Sequence, residues 1–140
     1  MTKTNSIRVP ADMEYLDKAL AMICEGMEEV NAPDVLAMNV EVITEELFTN
    51  IASYAYDETN ESNFAEITYV VDNDPPSITV FFKDAGKPYN PLEKEDPDVT
   101  LDPMDRPIGG LGIYMTKKLM DETHYEYKDN MNIFSFKKNF

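Results

Sequence analysis

The sequence has few cationic residues, a single cysteine, no tryptophan and no long apolar run. Its 140 residues contain 12 Lys and Arg against 27 Asp and Glu, so the formal net charge is −15. Proteins bind nucleic acids and anionic membranes through basic surfaces, and the shortage of cations therefore argues against both kinds of partner. Basic or neutral proteins are compatible with this charge.

The missing apolar run and the lone cysteine also indicate a compartment. No segment approaches the roughly 18 consecutive apolar residues of a membrane span, and residues 1–6 lack the apolar core of a signal peptide. Cys24 cannot form an internal disulfide, and its place in a helical pattern favours a packing role. We expect a cytoplasmic protein, and 140 residues suit a single domain.

Apolar periodicity predicts three helices and five strands. The expected helices are 12–30, 33–56 and 113–121, and the expected strands are 6–9, 64–71, 77–83, 123–128 and 131–137. Met13 is expected in the apolar stripe of the first helix, and Leu119 among the packing residues of the third. The order of elements predicts an α+β fold, a two-layer sandwich with a mixed, mostly antiparallel sheet.

The second predicted helix carries a polar stripe beside its apolar one. The polar stripe consists of Glu46, Asn50, Ser53 and Asp57. Glu46 and Asn50 are four residues apart and therefore lie on the same face. A solvated face is the ordinary interpretation of such a stripe, and a polar site is the alternative.

Two glycine-containing segments are further candidates for a site. Asp84 and Gly86 follow a strand of buried type, where a turn is usual but where a carboxylate can also point into a pocket. Gly109, Gly110 and Gly112 precede the third helix, and free amide groups at a helix start attract anions such as phosphate. A simple turn is the alternative for this glycine cluster. His124 has no partner at metal-site spacing and is interpreted as structural.

Residues 89–107 show no apolar period and are rich in proline and acidic side chains. A segment of this length without helix or strand is usually a lid, a binding loop or a connector. The residues alone leave these alternatives open, and the family resemblance given next implies a lid at 89–107.

These segments resemble, in order and spacing, the motifs of the ATPase family that includes gyrase, Hsp90, histidine kinases and MutL. The matching stretches are 46–50, 84–91 and 107–113 followed by 119–122. Within that family the chain most resembles the short anti-sigma-factor serine kinases of bacterial stress and sporulation switches. The resemblance covers nearly the whole chain and implies the Bergerat-type ATPase fold, with the helices on one face of the sheet.

The resemblance also implies roles for individual residues. Asn50 corresponds to the asparagine that holds Mg²⁺ against the triphosphate of ATP, and Glu46 to the proposed general base. Asp84 corresponds to the aspartate that accepts a hydrogen bond from the adenine amino group, with Gly86 leaving room for the base. The phosphates are expected at the backbone of Gly109, Gly110, Leu111 and Gly112. Arg106 is assigned to the phosphates from its charge and position rather than from a family match.

The resemblance implies an ATP- and Mg²⁺-dependent anti-sigma factor and serine kinase whose substrate is a small antagonist protein. Its partners would be a sigma factor, the antagonist and a second copy of the chain, which pairs through residues 6–9. Two alternatives stay open at this point. One is a regulatory module that binds nucleotide without phosphoryl transfer, and the other is an acidic interaction domain without a ligand.

Overall fold

The computed structural model describes residues 2–58, 60, 62–93 and 111–140. These residues form a five-stranded sheet and three α-helices. The strands are β1 (Thr2–Pro10), β2 (Phe64–Asn73), β3 (Pro76–Asp84), β4 (Glu122–Lys128) and β5 (Met131–Asn139). The helices are α1 (Leu16–Glu29), α2 (Asp34–Asn50) and α3 (Leu111–Leu119).

The sheet has the strand order β1-β2-β3-β5-β4. Neighbouring strands are antiparallel at all four described pairings, and β2–β3 and β4–β5 are hairpins. The two hairpins meet where β3 pairs with β5, and this pairing sets Asp84 directly opposite Asn132. The α+β fold class predicted from the sequence is confirmed.

Alternation along the strands places the core on one face of the sheet. Ile67, Val80 and Phe136 are almost completely buried on that face, whereas the residues between them are partly exposed. Helices α1 and α2 cover the buried face with Ile23, Ile43, Phe48 and other apolar side chains. Every second residue of the strands and one apolar stripe of each of these helices therefore pack into the same core.

The described helices differ from the predicted ones mainly at their ends. Asp12 caps a 3₁₀ turn, Met13–Tyr15, by accepting a hydrogen bond from the backbone N–H of Glu14 at 2.9 Å. This turn directs Met13 outward, and its side chain is 42% exposed, so the predicted packing role of Met13 is wrong. Leu119 is 38% exposed where α3 ends, and the neighbouring Met120 is the buried residue.

The predicted helix 33–56 changes its winding near its end. Regular α-helix stops at Asn50, and Ile51–Ala55 continues as π-helix. The wider turn displaces the following backbone relative to a continuous α-helix, which is why π-turns often occur at functional sites. In the described part of the chain, no helix has the length and apolar character needed to cross a membrane.

Cys24 on α1 is partly buried and contacts the neighbouring helix α2. Its thiol donates a hydrogen bond to the Glu41 carboxylate at 3.1 Å. Burial, and then this hydrogen bond to a negative group, raises the pKa of Cys24 to about 11. The thiol is therefore held in its unreactive, protonated form at neutral pH.

Alkylation by iodoacetamide tests this pairing. At pH 8 we expect the folded protein to react about 100-fold more slowly than the urea-unfolded chain, because only the thiolate attacks. Glu41→Gln removes the negative acceptor and should accelerate the reaction of the folded protein, whereas Glu45→Gln on the same helix should leave it unchanged. Equal rates in folded and unfolded protein would contradict the raised pKa.

Candidate functional site

A cavity of about 300 Å³ opens between the end of α2, the end of β3 and the start of β5. Its walls are largely apolar, with a few polar groups at the base and rim. The apolar and aromatic lining includes Leu47, Ile51, Phe82, Phe134, Tyr54, Tyr89, Tyr125, Pro88 and Pro91. The polar lining is Asn50, Asp84, Lys87 and Asn132. An apolar pocket with a few placed polar groups is the usual form of a small-molecule site.

Asp84 supplies a buried carboxylate to this cavity. The residue is only 6% exposed, and its Oδ1 accepts hydrogen bonds from the backbone N–H of Gly86 at 2.9 Å and from Asn132 Nδ2 at 3.0 Å. Burial raises the pKa of Asp84 and outweighs the lowering effect of these two hydrogen bonds. Both donors bond the same oxygen, so Oδ2 is the oxygen with capacity to accept a hydrogen bond from a ligand.

Gly86 lets the turn after β3 approach the π-helical end of α2. A Cβ atom added at Gly86 would lie 2.2 Å from the carbonyl oxygen of Ala55, so no other residue fits without moving backbone. The same oxygen accepts a hydrogen bond from the backbone N–H of Lys87 at 2.9 Å. The π-helix therefore holds the turn that positions Asp84.

Tyr56 also holds that turn by hydrogen bonding, and it was not singled out from the sequence. Its hydroxyl donates to the carbonyl of Phe64 at 2.6 Å and accepts from the backbone N–H of Ala85 at 2.9 Å. Burial is the main cause that raises the pKa of Tyr56. Its position beside the polar stripe, between Ser53 and Asp57, gave no signal of this role in the sequence.

Asn132 was also missed, although the sequence carries a signal for it. Its Oδ1 accepts hydrogen bonds from the backbone N–H of Tyr89 at 3.0 Å and from the Tyr125 hydroxyl at 2.5 Å. Asn132 shares the inward phase of β5 with Phe134 and Phe136. A polar residue at an inward position of an alternating strand needs hydrogen-bond partners, and this requirement could have marked it.

The predicted polar stripe meets the cavity at one of its positions. Asn50 lines the cavity, and its Nδ2 is buried without a hydrogen-bond partner in the described part of the chain. Ser53 is exposed, and Asp57 forms an ion pair with Lys87 at 3.0 Å. A buried donor without a partner is costly, and at a cavity wall a ligand can satisfy it.

Glu46 lies one helical turn before Asn50, half-buried, and does not line the cavity itself. It contacts the start of α3, where a Cβ atom added at Gly112 would lie 2.3 Å from the Cβ of Glu46. The negative charge of Glu46 also contributes, after burial, to the raised pKa of Tyr89 at the cavity wall. Glu46 is therefore adjacent to both the cavity and the N-terminal turn of α3.

The predicted site residues fall into three groups in the structure. Asn50 and Asp84 line one cavity, with Gly86 in the turn behind it. Glu46 and Gly112 touch each other beside the cavity, and Leu111 is 46% exposed at the start of α3. The remaining predicted residues, Arg106, Gly109 and Gly110, and lid residues 94–107 lie outside the described residues.

Substituting Asp84 by asparagine tests the cost of the buried charge. The raised pKa means that the folded state holds the proton of Asp84 more tightly than the unfolded chain, whose pKa is near 3.8. Wild-type stability therefore falls as the pH rises from that value through the folded pKa, and it stays reduced above it. Asparagine can accept the same two hydrogen bonds without a charge, so Asp84→Asn should be more stable than wild type at pH 7, by a margin that shrinks toward pH 4.

Urea unfolding at both pH values measures this difference. Asp72→Asn is the matched control, because the pKa of Asp72 is shifted in the opposite direction. A hydrogen bond from the backbone N–H of Asp74 is the main cause that lowers the pKa of Asp72. That variant should be less stable than wild type at pH 7. A wild type more stable at pH 7 than Asp84→Asn would contradict the raised pKa.

Comparison with known proteins identifies the fold family. Residues 9–138 match the histidine kinase-like ATPase domain family. Among solved structures, the chain is similar to the RsbU and RsbW domains of Rv1364c from Mycobacterium tuberculosis, with a TM-score of 0.66 and 12% sequence identity. That match covers 97% of this chain but 32% of the other, so this chain spans about a third of its length. No curated protein matches the sequence. Because the family match extends over nearly the whole sequence, this chain belongs to the histidine kinase-like ATPase domain family.

Proposed function

We propose that this protein is an ATP- and Mg²⁺-dependent anti-sigma factor and protein-serine kinase that phosphorylates a small anti-sigma-factor antagonist. The observation that carries the proposal is the buried carboxylate of Asp84 in an apolar cavity that Asn50 also lines. In a member of the histidine kinase-like ATPase family, this combination supports an adenine nucleotide as the ligand. The kinase assignment rests on the resemblance of segments 46–50, 84–91 and 107–113 to the anti-sigma-factor serine kinases.

The chemistry of the cavity fits ATP. The apolar side chains of Ile51, Phe82 and Phe134 suit the flat faces of a purine, and the Asp84 carboxylate accepts the hydrogen of an exocyclic amino group. An adenine presents such an amino group where guanine presents an acceptor. The unpartnered Nδ2 of Asn50 is a polar atom that a nucleotide can satisfy.

The donor set also fits Mg²⁺ held jointly by protein and nucleotide. In the described residues, no group of three or more His, Cys, Asp or Glu side chains could hold a metal alone. Mg²⁺ commonly takes only one or two protein ligands and completes its shell with water and phosphate oxygens. The amide oxygen of Asn50 is the protein ligand that we propose.

A base next to the phosphates would assist phosphoryl transfer to a serine hydroxyl. ATP, when bound, supplies the γ-phosphoryl group, and the serine oxygen of the antagonist forms the new bond to phosphorus as the bond to the ADP oxygen breaks. The Glu46 carboxylate takes the hydroxyl proton. Contact with Gly112 sets Glu46 against the N-terminal turn of α3, where the backbone of Leu111 and Gly112 can meet phosphate oxygens. Gly109, Gly110 and Arg106 are proposed to extend this phosphate site, under a lid at 89–107.

The protein is proposed to act as a single-domain homodimer in the cytoplasm. Strand β1 supports the dimer, because it is an edge strand that pairs only with β2 among the described strands. An open strand edge can pair with a second copy of the chain. The strongly negative charge suits a sigma factor or antagonist that presents a basic or neutral surface.

Calorimetry with Mg-ATP tests the nucleotide site. Wild type should bind, and Asp84→Asn and Asn50→Ala should each weaken binding at least about tenfold, since each removes a hydrogen bond or metal ligand inside a desolvated cavity. Asp72→Asn, at the opposite end of the β2–β3 hairpin, should bind as wild type does. Absence of binding by wild type would refute both the kinase and any other nucleotide-dependent function.

A nucleotide-binding module without phosphoryl transfer is the second candidate, because the cavity lined by Asn50 and Asp84 would serve it equally. Incubation with ATP and candidate antagonists should yield phosphoserine, and Glu46→Ala should lower the rate about 10²- to 10⁴-fold while ATP affinity is kept. Glu45→Ala, one residue away and exposed, is the matched control. Transfer that survives in Glu46→Ala would remove Glu46 as the base, and ATP binding without transfer to any antagonist would favour the module.

A further inference from the structure

Asn132 connects three parts of the cavity that come from different segments of the chain. Its amide nitrogen donates to Asp84 Oδ1 at 3.0 Å and to the carbonyl of Lys87 at 2.9 Å. Its amide oxygen accepts from the backbone N–H of Tyr89 at 3.0 Å and from the Tyr125 hydroxyl at 2.5 Å. One buried side chain thus holds the carboxylate, the turn behind it and one aromatic wall.

We propose that Asn132 is a positioning residue for nucleobase selection, which holds the Asp84 carboxylate in the orientation that accepts the amino group of adenine. The inference rests on the proposed function, since it assigns a role within the proposed adenine site. It adds a residue that none of the three family-like segments contains. Asn132 acts through Asp84 and is not assigned a bond to the base.

The hydrogen-bond pattern fixes the orientation of the Asn132 amide. A primary amide has two N–H donors and one oxygen with two lone pairs, and the four contacts of 3.0 Å or less use all of this capacity, while the Gly86 carbonyl lies farther from the amide nitrogen at 3.4 Å. A reversed amide would set its nitrogen against the N–H of Tyr89 and its oxygen against the Asp84 carboxylate and the Lys87 carbonyl. Only one orientation is therefore compatible with the neighbours.

This fixed donor controls which oxygen of Asp84 is available. Gly86 and Asn132 both bond Oδ1, so rotation of the carboxylate would break two hydrogen bonds in a buried site. Asn132 is itself 6% exposed and lies opposite Asp84 in the β3–β5 register, so the backbone leaves it little freedom. Removing the donor frees the carboxylate to turn, and the amino group of the base loses a placed acceptor.

The test compares ATP with purine riboside 5′-triphosphate, which lacks only the 6-amino group. For wild type, calorimetry with Mg²⁺ should give a Kd for ATP that is at least about tenfold lower than the Kd for purine riboside 5′-triphosphate. This difference is expected for a hydrogen bond to a charged acceptor. In Asn132→Leu, which has a similar size but lacks the amide donor, the ratio of the two Kd values should fall to within about twofold. Asn132→Thr retains a hydroxyl donor and should restore part of the ratio.

Val71→Ala is the control that distinguishes a general loss of stability from a loss of Asp84 positioning. Val71 is 1% exposed on β2 and does not line the cavity, so this substitution should lower Tm while the Kd ratio stays as in wild type. If Asn132→Leu does not fold, Asn132→Ala serves as the second variant with the same measurement. Folded Asn132 variants without a hydroxyl donor that keep the wild-type ratio would overturn the proposal and leave ATP binding intact. A wild type that binds neither triphosphate would overturn the proposal together with the nucleotide function.

Discussion

A buried carboxylate at the end of β3 is the constraint on which the rest of the site depends. Removing Asp84 from water is costly, and the raised pKa records that the two hydrogen bonds to Oδ1 do not fully offset this cost. One of these bonds requires the tight turn through Gly86, which packs against the carbonyl of Ala55. The π-helical end of α2 is thus part of the mechanism that holds a charge inside the domain.

The same arrangement is compatible with the proposed binding of a polyanion by so acidic a chain. With 27 acidic and 12 basic residues, the surface repels phosphates at long range. In the function proposed above, binding would rely on short-range groups, namely backbone amides at the start of α3, a bridging divalent cation and an apolar pocket for the base. Gly112 has no side chain at its contact with Glu46, so the start of α3 can lie close to α2. This closeness would let these groups act together.

Periodicity in the sequence was sufficient for the architecture, because the strands bury every second residue and the helices bury one stripe. The polar stripe led to Asn50, and the acid followed by glycine at a strand end led to Asp84; both residues line one cavity. It could not locate the π-helix at 51–55, since the apolar stripe continues through Ile51 and nothing local marks the change in winding. Tyr56 was likewise invisible, because its role comes from contacts with Phe64 and Ala85, which only the tertiary fold brings to it.

Two polar residues of the cavity reduce the stability of the fold rather than add to it. Asp84 carries a raised pKa, and Asn50 has a buried donor without a partner in the described part of the chain, so each lowers the stability of the unliganded protein. A ligand that accepts from Asn50 and donates to Asp84 removes both costs and adds RT ln(1 + [L]/Kd) to the free energy of unfolding. Such local conflict with folding is common where a site has been selected for binding. The cavity is therefore better explained by a ligand that completes it than by the packing of an interaction domain alone.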